Sequence, residues 1–319
     1  MISNPKPQIS MIIPAYNAAN TIQICINSIS TQNYPASDRE IIIINDGSSD
    51  ATAKNLKLIA QKEHVRIYTH EKNKGLAAAR NTGIRHSRGD LLIFLDADME
   101  IPPNFIREHL KFQQAEKTVG VLSALLPAPE CTPDKYQRYL YESRRGALKY
   151  PLAKPLPYHV FLFNCTSVKK SAIALVGFFD ENITHYGGED TDYAYQLWRA
   201  FPRGLYYAPT IQVVHHHWRS IGQALQNIES FGKNVVPYLI KKNPELGNLF
   251  GNLVKNCLSS EKYYLQNTIC SLLGANPVRH FLHCFYRITP YPFSNQLVRM
   301  LIASALFKGL SQRNRKSDN

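Results

Sequence analysis

The residues that could do chemistry stand at the ends of apolar runs. "LLIFLDADM" places Asp96 and Asp98 directly behind a wholly apolar stretch. Their i, i+2 spacing aims both side chains the same way at a strand end. Neighbouring carboxylates repel one another unless a cation lies between them. A hard divalent ion with oxygen ligands, Mg2+ or Mn2+, is the usual remedy, and such an ion commonly also holds a diphosphate. "EIIIINDGSSDAT" carries Asp46 and Asp50 in a polar turn. "GGEDTD" groups Glu189, Asp190 and Asp192 behind a pair of glycines. A carboxylate there could take the proton of an attacking hydroxyl. The plainer reading is that all three sit at a helix N-terminus, where the dipole stabilises them. "VVHHHW" ends in His215, His216 and His217. On a strand, His215 and His217 share one face and His216 takes the other.

Alone, "DAD" is a solvated turn and "NDGSSD" a turn with a helix cap. The elements that carry them give them more meaning. "ISMIIPAYN", "REIIIIN", "VRIYTH" and "DLLIFLDADM" read as strands. Between them lie helical patterns: "AANTIQICINSISTQ" with Ile22, Ile26 and Ile29 on one face, "ATAKNLKLIAQKE" capped by Asp50, and "GLAAARNTGIRHS". Strands alternating with helices imply an α/β protein with a parallel sheet. In such sheets ligands bind beyond the carboxyl ends of the strands. "PAYN", "NDGSSD" and "DAD" are three such ends.

The pattern then loosens. "NFIREHLKFQQA" reads as a helix and "VGVLSALLP" as a strand, followed by a loop-rich stretch from Pro127 to Pro157. "HVFLFNCTSVKKSAIALVGFFDE" predicts a strand, a short helix and a turn. "GGEDTDYAYQLWRAF" predicts a loop and a helix, and "GLYYAPTIQVVHHHW" a last strand. Beyond Trp218 the chain is helical with polar breaks. The division expected is 1–98 and 99–218 as two halves of one domain, with 219–319 as a basic helical extension.

The 319 residues are 44% hydrophobic, which supports a packed core and excludes global disorder. Lysine and arginine number 37 against 24 acidic residues, a formal charge of +13. From Ser220 onward 12 basic residues face 4 acidic ones. Such an excess favours polyanionic partners: nucleotide phosphates, nucleic acid or an anionic membrane. The cysteines Cys25, Cys131, Cys165, Cys257, Cys270 and Cys284 form no CxxC pair and read as free thiols of a reducing compartment. "MISNPKPQISMIIP" has no signal-peptide core, and no apolar run is long enough to span a bilayer. These features point to a cytoplasmic protein, with peripheral contact on the inner face of the cytoplasmic membrane as a further expectation.

Taken together, "SMIIPAYNAANTI", "EIIIINDGSSDAT", "NKGLAAARNTGI" and "LLIFLDADM" resemble the nucleotide-binding half of family 2 glycosyltransferases. The resemblance implies a GT-A fold, a Rossmann-like, mostly parallel sheet flanked by helices. It implies an inverting enzyme that uses a nucleotide-diphosphate sugar, with UDP-sugar the expected donor and Mn2+ or Mg2+ the cofactor. Residue by residue, it gives Pro14, Ala15 and Tyr16 to the base and ribose pocket and Asp46 to the base. Arg80 goes to the nucleotide, Asp96 to the ribose or metal, and Asp98 to the metal. Asn45 stands where many relatives carry another aspartate. "GGEDTD" resembles the family's acceptor-side turn, so Asp190 is expected as the base, with Glu189 as its competitor. His215 or His217 is expected to meet the metal or diphosphate, and Asn164 the donor or acceptor. The expected acceptor is a glycan or lipid-linked hydroxyl, in cell-surface polysaccharide or glycolipid assembly.

Other classes lack their signatures. There is no GxGxxG after the first strand and no GxxxxGK[ST], which disfavours dinucleotide oxidoreductases and P-loop kinases. A sugar nucleotidyltransferase would need a Gly-rich basic loop where "PAYNAAN" stands. A non-enzymatic basic protein for membrane or nucleic acid is the remaining alternative. No nucleic-acid module is present, and no nucleic-acid partner is expected.

Overall fold

In the computed structural model, residues 7–61, 64–129, 132–150, 152, 154–258 and 264–314 are described. They form two compact units. The first takes the described residues of Met1–Glu130, Arg145–Thr184 and Glu189–His217; the second takes those of Cys131–Arg144, His185–Gly188 and Trp218–Asn319.

The first unit is built on one mixed sheet. Its strands are β1 (Ile9–Ala15), β2 (Arg39–Asn45), β3 (Val65–Thr69), β4 (Leu91–Leu95), β5 (Met99–Glu100), β6 (Gly120–Pro127), β7 (Cys165–Lys169) and β8 (Leu205–His215), in the order β3-β2-β1-β4-β7-β6-β8-β5. β1, β2, β3 and β4 run parallel, β7 enters antiparallel, and β8 is parallel to β6. Helices α1 (Ile22–Ser30), α2 (Thr52–Ile59) and α4 (Phe105–Gln113) cover one face. Helices α3 (Leu76–His86), α6 (Lys170–Val176) and α7 (Glu189–Ala200) cover the other.

Burial on both faces explains the unbroken apolar strands. Ile9, Met11 and Ile13 of β1 and Ile41 and Ile43 of β2 join one core. Ile12, Ile42 and Ile44 join the other. Each strand therefore alternates between two cores.

Several details depart from the sequence reading. β1 runs to Ala15, one residue past the Pro14 end read in "ISMIIPAYN"; Asn17 then turns to φ 50° and its Oδ1 accepts from Ser49 N at 2.9 Å. Ala51, not Asp50, is the N-cap of α2. Asp50 accepts from Thr52 N at 2.9 Å and from Ala19 N at 3.1 Å, so it ties two strand-end loops together. The stretch from Pro127 to Pro157 contains helix α5 (Lys135–Tyr141), closed by a reciprocal capping box between Asp134 and Gln137.

The second unit joins α5 to α8 (Ile221–Ser230), α9 (Val236–Lys242), α10 (Gly247–Leu258), α11 (Tyr264–Leu273), α12 (Asn276–Ile288) and α13 (Ser294–Asn314). Tyr136, Tyr139, Leu225, Leu282, Val298 and Leu301 form its core. Cys270 is disulfide-bonded, which overturns the expectation of free thiols throughout. Cys25 and Cys165 are free and buried, and Cys284 is free and exposed. Cys131, the Cys257 side chain and the basic tail with Arg313, Arg315 and Lys316 lie outside the described residues. Among the described residues no helix is long and apolar enough to cross a membrane.

Candidate active site

The carboxyl ends of β1, β2 and β4 meet as the parallel order requires. Beyond β4 the chain turns, with Met99 N donating to Asp96 O at 3.2 Å. It then forms the two-residue strand β5, which pairs antiparallel with β8, Met99 opposite His215. His216 N donates to Asp98 O at 2.8 Å. This short ladder brings "DAD" to the histidines. His215 Nε2 lies 3.4 Å and His217 Nδ1 3.8 Å from Asp98 Oδ2. His216 points the other way, its Nε2 2.6 Å from Glu100 Oε2. The alternation of a strand accounts for that split.

At β2, Asp46 is 3% exposed. Its carboxylate accepts from Lys74 N and Gly75 N, each at 2.9 Å, and His70 Nδ1 donates to it at 2.7 Å. His70 Nε2 is 2.9 Å from Thr82 Oγ1 on α3. Asp46 thus fixes the 70–75 loop against the sheet. Gly47 has φ +69°, and a Cβ there would sit 2.4 Å from the Lys72 carbonyl carbon. Only glycine permits that close passage. Pro14 and Ala15 are buried, whereas Tyr16 is 52% exposed. Of that trio, Tyr16 alone offers open side-chain surface.

Arg80, on α3, is the hub. It is 1% exposed and lies between aromatic rings, its guanidinium carbon 5.4 Å from the Phe179 centroid and 5.9 Å from that of Phe163. Nη1 donates to Asp190 Oδ1 at 2.5 Å and lies 3.5 Å from Glu189 Oε1. Nη2 donates to Phe163 O at 3.2 Å and lies 3.6 Å from Asp96 Oδ1. Asp190 Oδ2 accepts from Phe163 N at 3.1 Å. Burial alone would lower the basicity of Arg80, but the charges of Asp190, Asp96 and Glu189 raise it above its ordinary value. Arg80 therefore stays charged.

The acids feel the same crowding. Burial, the largest cause, pushes Asp96 up to about 7, with Asp98 and Asp190 adding to the rise and Arg80 opposing it. Burial and the neighbouring charge of Asp190 push Glu189 up to about 7. For Asp98 burial works upward, yet its hydrogen bond to His215 and the charges of His215 and His217 hold it below the ordinary range. Asp192 is 0% exposed and accepts from Gln196 on its own helix at 2.9 Å, which is a structural role.

All the residues expected at the site lie in this unit. Arg80 joins Asp96, Glu189 and Asp190; Asp98 joins His215 and His217; Asp46 stands with the 70–75 loop. Sequence reasoning missed His70, Phe163 and Glu100. The alternation of "HHH" could have called for a partner to His216; nothing local marks the other two.

A divalent metal fits the donor set. Asp98 Oδ1 is buried without a hydrogen-bond partner, and Asp96 Oδ1 has only the Arg80 guanidinium at 3.6 Å, which is costly unless a cation or ligand completes them. Asn164 Oδ1 is buried and unpartnered as well. Among the described residues no group of three or more such ligands is already gathered tightly enough to hold the ion. Binding would have to draw the carboxylates and histidines together.

Comparison with known proteins agrees with this architecture. The structure resembles Staphylococcus aureus TarS 1-349 solved with UDP, at TM-score 0.55 and 13% identity over 97% of this chain and 92% of that one. It also resembles the mannosyltransferase PcManGT from Pyrobaculum calidifontis, solved with GDP-Man and Mn2+, at TM-score 0.61 and 18% identity over 95% and 87%. At these identities the likeness speaks for the fold, which is GT-A. In sequence, the chain is 37% identical over 116 residues to glycosyltransferase GlyA of Streptococcus pneumoniae serotype 4, which covers 35% of this chain and only 16% of that longer protein. Residues 10–175, which hold Asp46, Arg80, Asp96 and Asp98, match the family model for glycosyl transferase family 2, and the chain belongs to that family.

Proposed function

We propose that this protein is an inverting glycosyltransferase that moves a sugar from a nucleotide-diphosphate donor to a hydroxyl of a glycan or lipid-linked acceptor. The observation that carries the reading is the buried Arg80 guanidinium, with Asp96 on one side and Asp190 on the other. It stands between a place for a leaving diphosphate and a place for a base.

In this mechanism Tyr16 stacks on the base and a remaining lone pair of Asp46 accepts from it. Asp96, Asp98, His215 and His217 are the residues that would hold Mn2+ or Mg2+. When bound, the ion supplies charge neutralisation for the departing diphosphate. Arg80 offers fixed positive charge beside Asp96 without needing to reorganise. Asp190 is assigned as the base: Arg80 and the Phe163 N–H each hold one of its carboxylate oxygens and fix its direction. The acceptor oxygen attacks C1 of the sugar as the C1–O bond to the diphosphate breaks. The hydroxyl proton passes to Asp190, and the nucleoside diphosphate leaves. Glu189 is Asp190's neighbour and competitor for the role.

We read UDP-sugar as the donor because a structural neighbour was solved with UDP; another was solved with GDP-Man, so guanosine donors belong in the same screen. A cytoplasmic setting, contact with an anionic membrane and cell-surface glycan assembly complete the reading. The test is donor binding and sugar release across a panel of nucleotide sugars with Mn2+, for wild type and Asp98→Ala. Turnover confined to wild type supports the proposal. Undiminished turnover in the variant would remove the metal assignment.

A further inference from the structure

The second unit carries an exposed apolar stripe on α12. Val278, Phe281, Phe285 and Ile288 are 37%, 61%, 44% and 77% exposed. Their spacing of three and four residues puts them on one face. The Phe281 and Phe285 rings touch, with centroids 4.5 Å apart. Phe293, just beyond the helix, is 74% exposed. The helix does not need this face for its own packing, because Leu282 and Tyr286 are buried in the core with Leu225, Val298 and Leu301. The apolar segment "LVRMLIASALF" could in sequence either pack on the core or dock on a membrane. Those residues lie on α13, where Val298, Leu301 and Ala305 are fully buried. On α13 Met300 is exposed, whereas α12 presents a continuous apolar stripe.

Charge selects the occupant. Among the described basic side chains after Glu261, Arg279 and Lys308 pair with Glu229, while Arg287 and Arg299 are exposed. Arg287 is exposed on α12 itself, together with His280. A second copy docked on the same stripe would set the exposed Arg287 beside its own counterpart. A nucleic acid would meet the charge but leave the phenyl rings and Ile288 in water. A bilayer with anionic headgroups satisfies both, since apolar side chains enter the acyl boundary and basic ones stay among the phosphates.

We propose that α12 is the membrane-docking surface of this protein, with Phe281, Phe285 and Ile288 inserted and Arg287 at the headgroups of an anionic leaflet. This deepens the membrane contact read above and stands apart from the transfer chemistry. The test is flotation of the full chain with phosphatidylcholine vesicles, with and without phosphatidylglycerol. Wild type should float with the anionic vesicles, and less as salt rises. Phe281→Ser with Phe285→Ser should lower the bound fraction about ten-fold or more while circular dichroism is unchanged. Phe285→Trp should be quenched by brominated lipid, a readout that holds even if the double variant does not fold. Asp98→Ala should float like wild type, which separates docking from catalysis. The proposal is overturned if wild type stays with the soluble fraction, if the double variant floats equally well, or if the tryptophan is not quenched. It is also overturned if the stripe proves to hold a lipid-independent dimer that the double variant dissolves.

Discussion

Arg80 Nη1 and Asp190 Oδ1 lie 2.5 Å apart although 110 positions separate them in the chain. The pair ties the helix that follows β3 to the helix that follows the "GG" turn. The same guanidinium reaches Asp96 and the Phe163 carbonyl. Lysine cannot span these partners, because it offers a point charge where arginine offers a planar fork. Arg80→Lys should fold and lose about 100-fold or more in turnover. Arg80→Ala should lose about 3–5 kcal/mol, since it leaves buried carboxylates uncompensated. Initial rates and thermal unfolding check both. An Arg80→Lys protein with wild-type turnover would take the fork out of the mechanism.

Asp98 should control metal dependence. Its Oδ1 is buried and unpartnered, and its Oδ2 faces His215 and His217. Asp98→Asn keeps the shape and removes the charge. Turnover should fall by about 100-fold or more, and calorimetric Mn2+ binding should weaken in parallel. The free protein should unfold at a somewhat lower temperature at neutral pH, because the carboxylate charge that His215 and His217 favour in the fold has been removed. Unchanged Mn2+ binding would move the metal elsewhere.

Glu189 gives a pH signature. Burial and Asp190 raise it to about 7, against about 4.3 in the unfolded chain. The folded state then keeps a proton that the unfolded state gives up. The stability this provides is full below the unfolded value and is lost as pH rises through about 7. Glu189→Gln should therefore stabilise the donor-free protein above pH 7 by on the order of 1–3 kcal/mol and change little below about pH 4. Asp190→Asn should cost far more in turnover than Glu189→Gln if Asp190 is the base. Denaturant titrations over that pH range, with rates for both variants, test the two statements separately.

Burial governs how much of this could be read from the sequence. Strands buried on both faces write themselves as runs such as "EIIII" and "LLIFL", and their polar ends mark the site. α5 lay hidden in a stretch of Pro, Tyr and Arg, although the Asp134–Gln137 capping box was a local signal for it. β5 is two residues long and exists only because β8 pairs with it, so no local pattern could announce it. The Arg80–Asp190 contact and the Cys270 disulfide depend on tertiary approach, for which one sequence carries no periodicity. The apolar face of α12 was legible as composition. Its exposure was not, because α13 has a similar composition and buries Val298, Leu301 and Ala305.

Glu40 should set the acid limit of the first unit. It is 2% exposed, accepts from Ser10 Oγ and Arg88 N at 2.6 Å each and from Arg88 Nε at 3.0 Å, and pairs with Arg66. Burial works to raise its pKa, but Ser10, Arg88 and Arg66 bring it below the ordinary value. The stabilisation is present above the unfolded value of about 4.3 and is lost as pH falls through the lower folded value. Glu40→Gln should cost about 2 kcal/mol at neutral pH, less than a fully buried pair because Arg66 and Arg88 are partly exposed. The deficit should shrink toward zero in acid. Denaturant midpoints across that range would show a constant deficit instead if the loss were only one of packing.

His70 should act on nucleotide affinity and leave the chemical step alone. It touches Asp46 through Nδ1 and Thr82 through Nε2, and its side chain is 9% exposed. The Thr82 hydroxyl also donates to Ala78 O at 3.0 Å, which ties it to α3. His70 thus braces Asp46 between β2 and α3 and shares no hydrogen bond with Arg80. His70→Ala removes one of the three donors to the Asp46 carboxylate and loosens the 70–75 loop. KM for the donor and Kd for the free nucleotide should both rise about ten-fold, the effect of losing a charge-assisted hydrogen bond. The kcat at saturating donor should stay within about two-fold, because uniform binding is lost and transition-state contacts are not. His70→Gln, which can still donate to Asp46, should recover part of the affinity. A fall in kcat with KM unchanged would instead place His70 in the chemistry, and full activity in both variants would leave it a packing residue.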